Sequence, residues 1–413
     1  MGNKDVRQIK QFVDGYRNKK AKAIANKAVK EFLENYTVWK EIVGRLVDGE
    51  DGERLYGEAL TTFSAILYYS SHLKKETIDL LRNEIVEYEG KVRFMYEYKS
   101  ALYSNLVVYL YKLKLASEDE LKVLLKKYIF YSLALANHNS YQLECYAYRS
   151  VSKYLIDSFK DEKLSMSAPS TFNDPFDCPI LELLNQYGDE ISKLVRAAYQ
   201  DCLKITCFVN NKKLKPLLDE SAVPILDENH NLIRVFKHRN DPSEYLNELM
   251  WAHYAKNHTG VCIKYHFRNE ITMFADEGKG QIAYFRDIEY TSKISTFAKA
   301  GAIDLTNAFF AKGKAWEYEN ELRLLAYDIN GLGNYASIDA KDSIAAVYFG
   351  LKCPKRRRAR IMSILKTKKW VSEKHVYNET THRTEVIQEE HPVEFYQMEI
   401  DEKHFGKLKA VKI

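Results

Sequence analysis

The chain has 413 residues, 46% of them hydrophobic and 29% charged, which suits a soluble globular protein of two domains. A net charge of +5 is too mild for a dedicated nucleic-acid binder. The start MGNKDVRQIKQF holds no apolar signal region and no apolar run approaches 18 residues, so no membrane partner is expected. Six cysteines without a CxxC pair or zinc-type spacing imply a reducing, cytoplasmic setting and no metal.

The first 140 residues read as helical. Proline is absent, and apolar residues recur at three and four, as in Ile24, Val29, Phe32, Leu33 and then Ile42, Val43, Leu46. Further helical patterns run over 54–72, 75–112 and 118–137, the last opened by a capping box from Ser117 to Glu120. These spacings predict an all-α domain, 1–140, of hairpins or irregular repeats serving as a scaffold for a partner or for self-association. Tyr68, Tyr69, Tyr96, Tyr98, Tyr103, Tyr109 and Tyr111 either line one exposed face of it or fill its core.

Past residue 140 the pattern shortens. Strands are expected at 144–150, 163–169, 204–210, 260–267, 281–290, 319–328 and 344–350, from β-branched and aromatic enrichment. Helices are expected at 151–161, 181–200, 243–257 and 295–316. The fold class is therefore α+β, with a mixed and mostly antiparallel domain over 141–413.

Phosphate-loop, Rossmann, GxSxG and HExxH motifs are all missing. Three clusters remain. The first carries Tyr148 and Arg149 and leads to STFNDPFDCP, 170–179, in a chain with only eight prolines. Asn173-Asp174-Pro175 is turn chemistry, with Phe172 and Phe176 as anchors and Asn173 and Asp174 facing a cleft. The second, MWAHYAKNHTGVCIKY, places Trp251 and Tyr254 three apart on one helical face, to stack a ring or to pack. The third, KAWEYENELRLLAYD, alternates Glu317, Glu319, Glu321 and Arg323, which on a strand would share one face. Carboxylates so crowded are costly unless solvated or used. A dense basic run, Lys355 to Arg360, is either a solvated helix end or a phosphate-contacting patch.

Taken in order, these motifs resemble the family called domain of unknown function 2971, over about 144–366. The residues that carry the likeness are Tyr146/Tyr148/Arg149, Ser167/Pro169 with Phe172–Phe176, Cys207/Phe208, Trp251/Tyr254/Ala255/Gly260, Trp316/Tyr318/Glu319/Glu321/Arg323 and Val347/Gly350. The layout is also similar to ADP-ribosyltransferases, which clamp NAD on a split sheet. There is no clear Ser-Thr-Ser triplet here, and Glu317 leaves the acidic register open. That likeness implies NAD as substrate, Glu321 as the catalytic acid with Glu319 beside it, and Arg149 on phosphates or ribose. Tyr148, Phe172, Asn173, Asp174, Thr206, Trp251, Tyr254 and Arg323 would complete the cofactor-binding set. The function it implies is a transferase acting on an unidentified protein or nucleic acid, in phage defence or a toxin system. Two alternatives stand beside it: a non-enzymatic nucleotide-sensing or nucleic-acid-binding module, and a metal-dependent nuclease using Asp174, Glu319 and Glu321.

Overall fold

The computed structural model of the protein describes residues 56–57, 60, 63–64, 66–67, 73, 75–92, 96–135, 143–172, 177–178, 181, 184–186, 188, 190–210, 212–216, 234–238, 247–267, 273–292, 308–333, 335–378, 383–404 and 406–413. Expectations on 1–55, Tyr68, Tyr69, Asn173, Asp174, Phe176 and 293–307 lie outside the described residues.

Residues 56–57, 60, 63–64 and 66–67 are helical, and among the described residues the first continuous helices are α1 (Lys75–Glu89), α2 (Tyr96–Leu113) and α3 (Glu118–Leu135). The pattern over 75–112 is thus two helices, parted by a turn at Gly90 and Lys91. Ser117 caps α3 by accepting from the Glu120 amide at 3.3 Å. Tyr103 and Tyr109 are buried and Tyr98 is exposed, so the tyrosines of α2 do not form one open face.

The sheet region follows. It contains β1 (Leu143–Arg149), α4 (Lys153–Asp161), β2 (Lys163–Ser167), α5 (Glu190–Cys202), β3 (Leu203–Asn210) and the hairpin β4 (Lys212–Pro216) with β5 (Arg234–His238). Then come α6 (Glu248–His253), β6 (Val261–Phe267), β7 (Met273–Asp276), β8 (Gln281–Asp287), β9 (Glu289–Thr291), β10 (Ala311–Gly313) and β11 (Glu321–Asp328). The chain closes with β12 (Tyr335–Asp339), β13 (Ile344–Phe349), α7 (Lys355–Leu365), the hairpin β14 (Lys369–Asn378) with β15 (Arg383–Pro392), β16 (Glu394–Ile400) and β17 (Leu408–Lys412).

An eleven-stranded sheet runs β17-β16-β13-β6-β1-β3-β11-β8-β7, with β2 on β3 and β12 on β2. Its pairs are antiparallel except β13 with β16. β11 is an interior strand, paired with β3 and β8, and its burial on both faces explains the unbroken apolar run LLAY. On one face Ala147, Phe208, Ile263 and Leu324 pack under α4 and α7. The other face is divided. Tyr146, Tyr148, Val209 and Cys262 pack on Met250 and Trp251 of α6. Ile205, Ile282, Tyr284, Leu325 and Tyr327 join the core of α1, α2, α3 and α5. The core of the N-terminal helices therefore continues into the sheet, past the boundary expected near residue 140. Tyr327 adds a hydrogen bond from its hydroxyl to the Lys126 carbonyl, 2.8 Å.

β1 pairs with β6 along seven residues, from Leu143↔Phe267 to Arg149↔Val261. It meets β3 only at Cys145↔Asn210 and Tyr146↔Val209, so the two strands part beyond Tyr146. Backbone carbonyls that lose a ladder partner need another donor. Arg149 supplies it: Nη1 donates to the Tyr148 carbonyl (3.0 Å), and Nη2 to the Cys207 carbonyl and Thr206 Oγ1 (3.1 Å each).

Three local expectations are corrected. Of the helix expected over 243–257, the described residues hold Glu248–His253, capped by Asn247, and it stops short of 257 because Lys256, Asn257 and His258 all take positive φ. The 308–316 part of the helix expected at 295–316 is a 3₁₀ turn, then β10, then the start of a second 3₁₀ turn, Lys314–Glu319. Glu317, Glu319 and Glu321 are not on one strand either. Glu317 and Glu319 belong to that 3₁₀ turn, and Asn320 at φ 46° breaks the register before β11.

The turn after α6 depends on two glycines. A Cβ on Gly260 would sit 2.3 Å from the Arg149 carbonyl oxygen, and one on Gly350 would sit 2.3 Å from that of His258. Their backbones also bond each other, Gly350 N–H to Gly260 O at 3.0 Å. Gly260→Ala and Gly350→Ala are each expected to cost about 3 kcal/mol in denaturant unfolding. Gly278→Ala, with only an Asp276 side-chain oxygen at 3.5 Å, should stay within about 0.5 kcal/mol of wild type.

Candidate functional site

Where β1 and β3 part, a pocket of about 70 Å³ opens on the divided face. Tyr146, Tyr148 and Arg149 of β1 form one wall and Cys207 and Val209 of β3 the floor. Tyr254, Asp177, Lys312, Glu319 and Glu321 close the other side. The alternation of β11 places Glu321 and Arg323 on this face and Leu322 and Leu324 on the opposite one.

Lys312 is the hub. Its Nζ donates to Glu319 Oε2 at 2.6 Å and Glu321 Oε2 at 3.3 Å and is ion-paired with Asp177 Oδ1 at 2.6 Å, so one ammonium serves three carboxylates. The Trp316 ring lies 4.8 Å away. Arg323 sits beside the pocket, 0% exposed. Its Nε donates to Glu321 Oε1 at 2.7 Å, and Nη1 donates to the carbonyls of Asp177 (2.8 Å) and Phe309 (2.6 Å). The guanidinium thereby pins two loops to β11. Tyr254 donates its hydroxyl to Glu319 Oε1 at 2.5 Å.

Each buried ion here forfeits several kcal/mol of hydration, which only close pairing offsets. The pairing is unequal, and so is its effect. Burial pushes the Glu321 carboxyl up, but Arg323 and Lys312 outweigh burial and bring it down to about 2. Burial also raises Glu319, and there Lys312 and Tyr254 do not offset it fully, so it stays above the ordinary 4.5. Asp177 is likewise raised by burial despite Lys312. Two adjacent glutamates therefore differ: one is a fixed carboxylate and the other holds a proton more readily.

The pocket gathers Arg149, Tyr148, Tyr254, Glu319 and Glu321 of the expected site. Thr206 stands behind it, bonded to Arg149. Arg323 lies beside the pocket on the same face of β11 as Glu321, opposite Cys207, and also covers the Phe172 ring at 5.7 Å. Trp251 is fully buried, edge-on to Tyr148 at 5.2 Å, so it does not share an open face with Tyr254. Asn173 and Asp174 are outside the described residues. Asp177 and Lys312 were not expected. The one signal for Lys312 was the crowding of Glu317, Glu319 and Glu321, which calls for a nearby cation. Among the described residues no group of three or more His, Cys, Asp or Glu is arranged to hold a metal ion. None of the described helices is long and apolar enough to cross a membrane.

A family model described as "Protein of unknown function (DUF2971)" matches residues 250–324. This stretch, similar to that family, holds Tyr254, Lys312, Glu319, Glu321 and Arg323, while Arg149 and Asp177 fall outside it. No curated protein matches the chain, and no solved structure does.

The acid limb of the stability curve follows from Glu321. Its folded carboxyl titrates below its unfolded one, so its contribution is full above 4.5 and is lost as pH falls toward about 2. Glu319 and Asp177, being raised, act the other way and relieve strain as they protonate. In denaturant unfolding at stepped pH, Glu321 should add a slope approaching about 1.4 kcal/mol per pH unit below pH 4.5 to that of the other depressed carboxylates, such as Glu144. Glu321→Gln should begin less stable and show a slope shallower by about that amount; equal slopes would contradict the assignment.

Proposed function

We propose that this pocket breaks the bond between nicotinamide and ribose in NAD and passes ADP-ribose to a macromolecular acceptor, in the manner of an ADP-ribosyltransferase. The observation that carries the reading is the meeting of Arg149, Glu319 and Glu321, from remote parts of the chain, at one pocket where the two glutamates are driven apart in acidity.

The charges suit such a donor. Around Lys312, the carboxylates of Asp177, Glu319 and Glu321 outnumber the cations of Lys312 and Arg323 by one when all are ionised, which favours a cationic nicotinamide ring there, while Arg149 brings the whole pocket to neutrality. At about 70 Å³ the pocket has room for about two waters, so it takes only the reacting edge of the donor, and the rest of the dinucleotide lies outside it. Arg149, on the opposite wall, is the group for the phosphates.

Glu321 stays ionised at neutral pH and stabilises positive charge as it develops on the ribose. The C–N bond breaks and its electron pair goes to the ring nitrogen of nicotinamide. A lone pair of the acceptor forms the new bond to the sugar carbon, and the acceptor's proton passes to Glu319. Lys312 and Arg323 position the two carboxylates.

One observation favours the nucleotide-sensing reading: Lys312 engages both glutamates, and an ion-paired carboxylate is a weaker base. Release of labelled nicotinamide separates the two. Wild type is expected to turn over NAD, and Glu321→Gln to lose about 10²- to 10³-fold in rate. Saturable NAD binding without release would support a sensor instead, and neither binding nor release would end both readings.

A further inference from the structure

We propose that helix α7 is a docking surface for a nucleic-acid strand, held by its phosphates without reading of its bases. This does not depend on what the pocket does.

The helix opens with KRRRAR. Lys355, Arg356, Arg357 and Arg360 are exposed, while Arg358 donates to Gln397 Oε1 at 2.5 Å. Among the described residues, none of the five pairs with a carboxylate, and α7 holds no acidic residue. Some cations around it are paired, Lys368 with Glu162 at 2.7 Å, Lys160 with Asp157 at 3.5 Å and Lys369 with Glu390, whereas Lys352 and Lys366 at its two ends have no ion pair among the described residues. The five charges of α7 equal the whole excess of the chain, +5.

A solvated helix end does not account for this placement. The N-terminal turn is the positive end of the helix dipole, where acids are favoured and cations are not. Adjacent like charges add mutual repulsion. The helix tolerates both because Ile361 and Leu365, fully buried, anchor it to the core shared with α4. An arrangement that opposes folding is explained by a ligand that reverses its sign.

Phosphate is the chemistry that fits best. Four of the five cations are arginines, whose planar fork takes phosphate oxygens in pairs. A membrane surface fits poorly, since a helix that lies on lipid needs a free apolar face, and here Ile361 and Leu365 are spent on the core. Arg149, Val261 and Phe349 lie abreast across β1, β6 and β13, and α7 begins six residues after Phe349. The basic surface therefore starts at the end of the sheet where β1 and β3 part.

The test is fluorescence anisotropy of 20-nucleotide single-stranded RNA and DNA across salt concentrations. Wild type is expected to bind both, with a slope of log affinity on log salt of about −3, from some four phosphate contacts. The variant Lys355→Gln/Arg356→Gln/Arg357→Gln/Arg360→Gln should lose about 30-fold or more at low salt and flatten the slope. Its melting temperature should hold or rise, because the removed charges oppose the dipole. Exchanging the three arginines for lysine should keep the slope and weaken binding only modestly. Equal affinity of wild type and the Gln variant would overturn the proposal. So would binding of phosphatidylserine vesicles or a poly-glutamate peptide by wild type with no binding of either oligonucleotide.

Discussion

The ammonium of Lys312, enclosed by Asp177, Glu319 and Glu321, is the interaction on which the site depends. Without it, three carboxylates would face one another in a buried pocket, and such a cluster neutralises itself by taking up protons. Its position follows from a short backbone sequence. β10 delivers Lys312, the 3₁₀ turn folds back to present Glu319, and Asn320 in the left-handed region lets β11 begin with Glu321 facing the same way. Residues nine positions apart thereby meet on one nitrogen.

Two cations do different work around that centre. Arg323, with no access to solvent, ties Glu321 to the carbonyls of Asp177 and Phe309 and makes that side of the pocket rigid. Arg149 fills the gap where β1 leaves β3, and so holds open the split that becomes the pocket. Gly260 and Gly350 permit the close backbone approach that sets the neighbouring strand ends, and Tyr254 reaches Glu319 from the turn between α6 and β6. Most of these groups are separated by long stretches of chain, so the site forms only with the complete sheet.

Much of the frame was legible in the sequence. β3, β6 and β13 lie within about one residue of their expected limits, because buried strands rich in Val, Ile, Phe and Tyr give a strong local signal. A cleft shared by Arg149, Glu321 and the 172–176 turn was an expectation of the ADP-ribosyltransferase layout; Arg149 and Glu321 both line the pocket, and 173–176 lie outside the described residues. Lys312 was not foreseen, since a lone lysine in AKGKAWEYE has no pattern that separates it from Lys314 beside it. Arg323 and Trp251 were read as ligand groups, whereas both are committed to packing and pairing. Aromatic and arginine side chains serve either purpose, and only tertiary burial decides. The acidic register failed for a local reason, as alternation presumes a strand and the backbone turns at Asn320.

The central physical claim is that one environment holds the Glu321 carboxyl well below its ordinary range while raising that of its neighbour Glu319 above it. Carboxyl carbon chemical shifts of ¹³C-labelled glutamate, assigned with the Glu319→Gln and Glu321→Gln variants, measure it directly. Glu321 should remain ionised until pH approaches about 2, and Glu319 should titrate above 4.5. Titration of both together near 4.5 would contradict it.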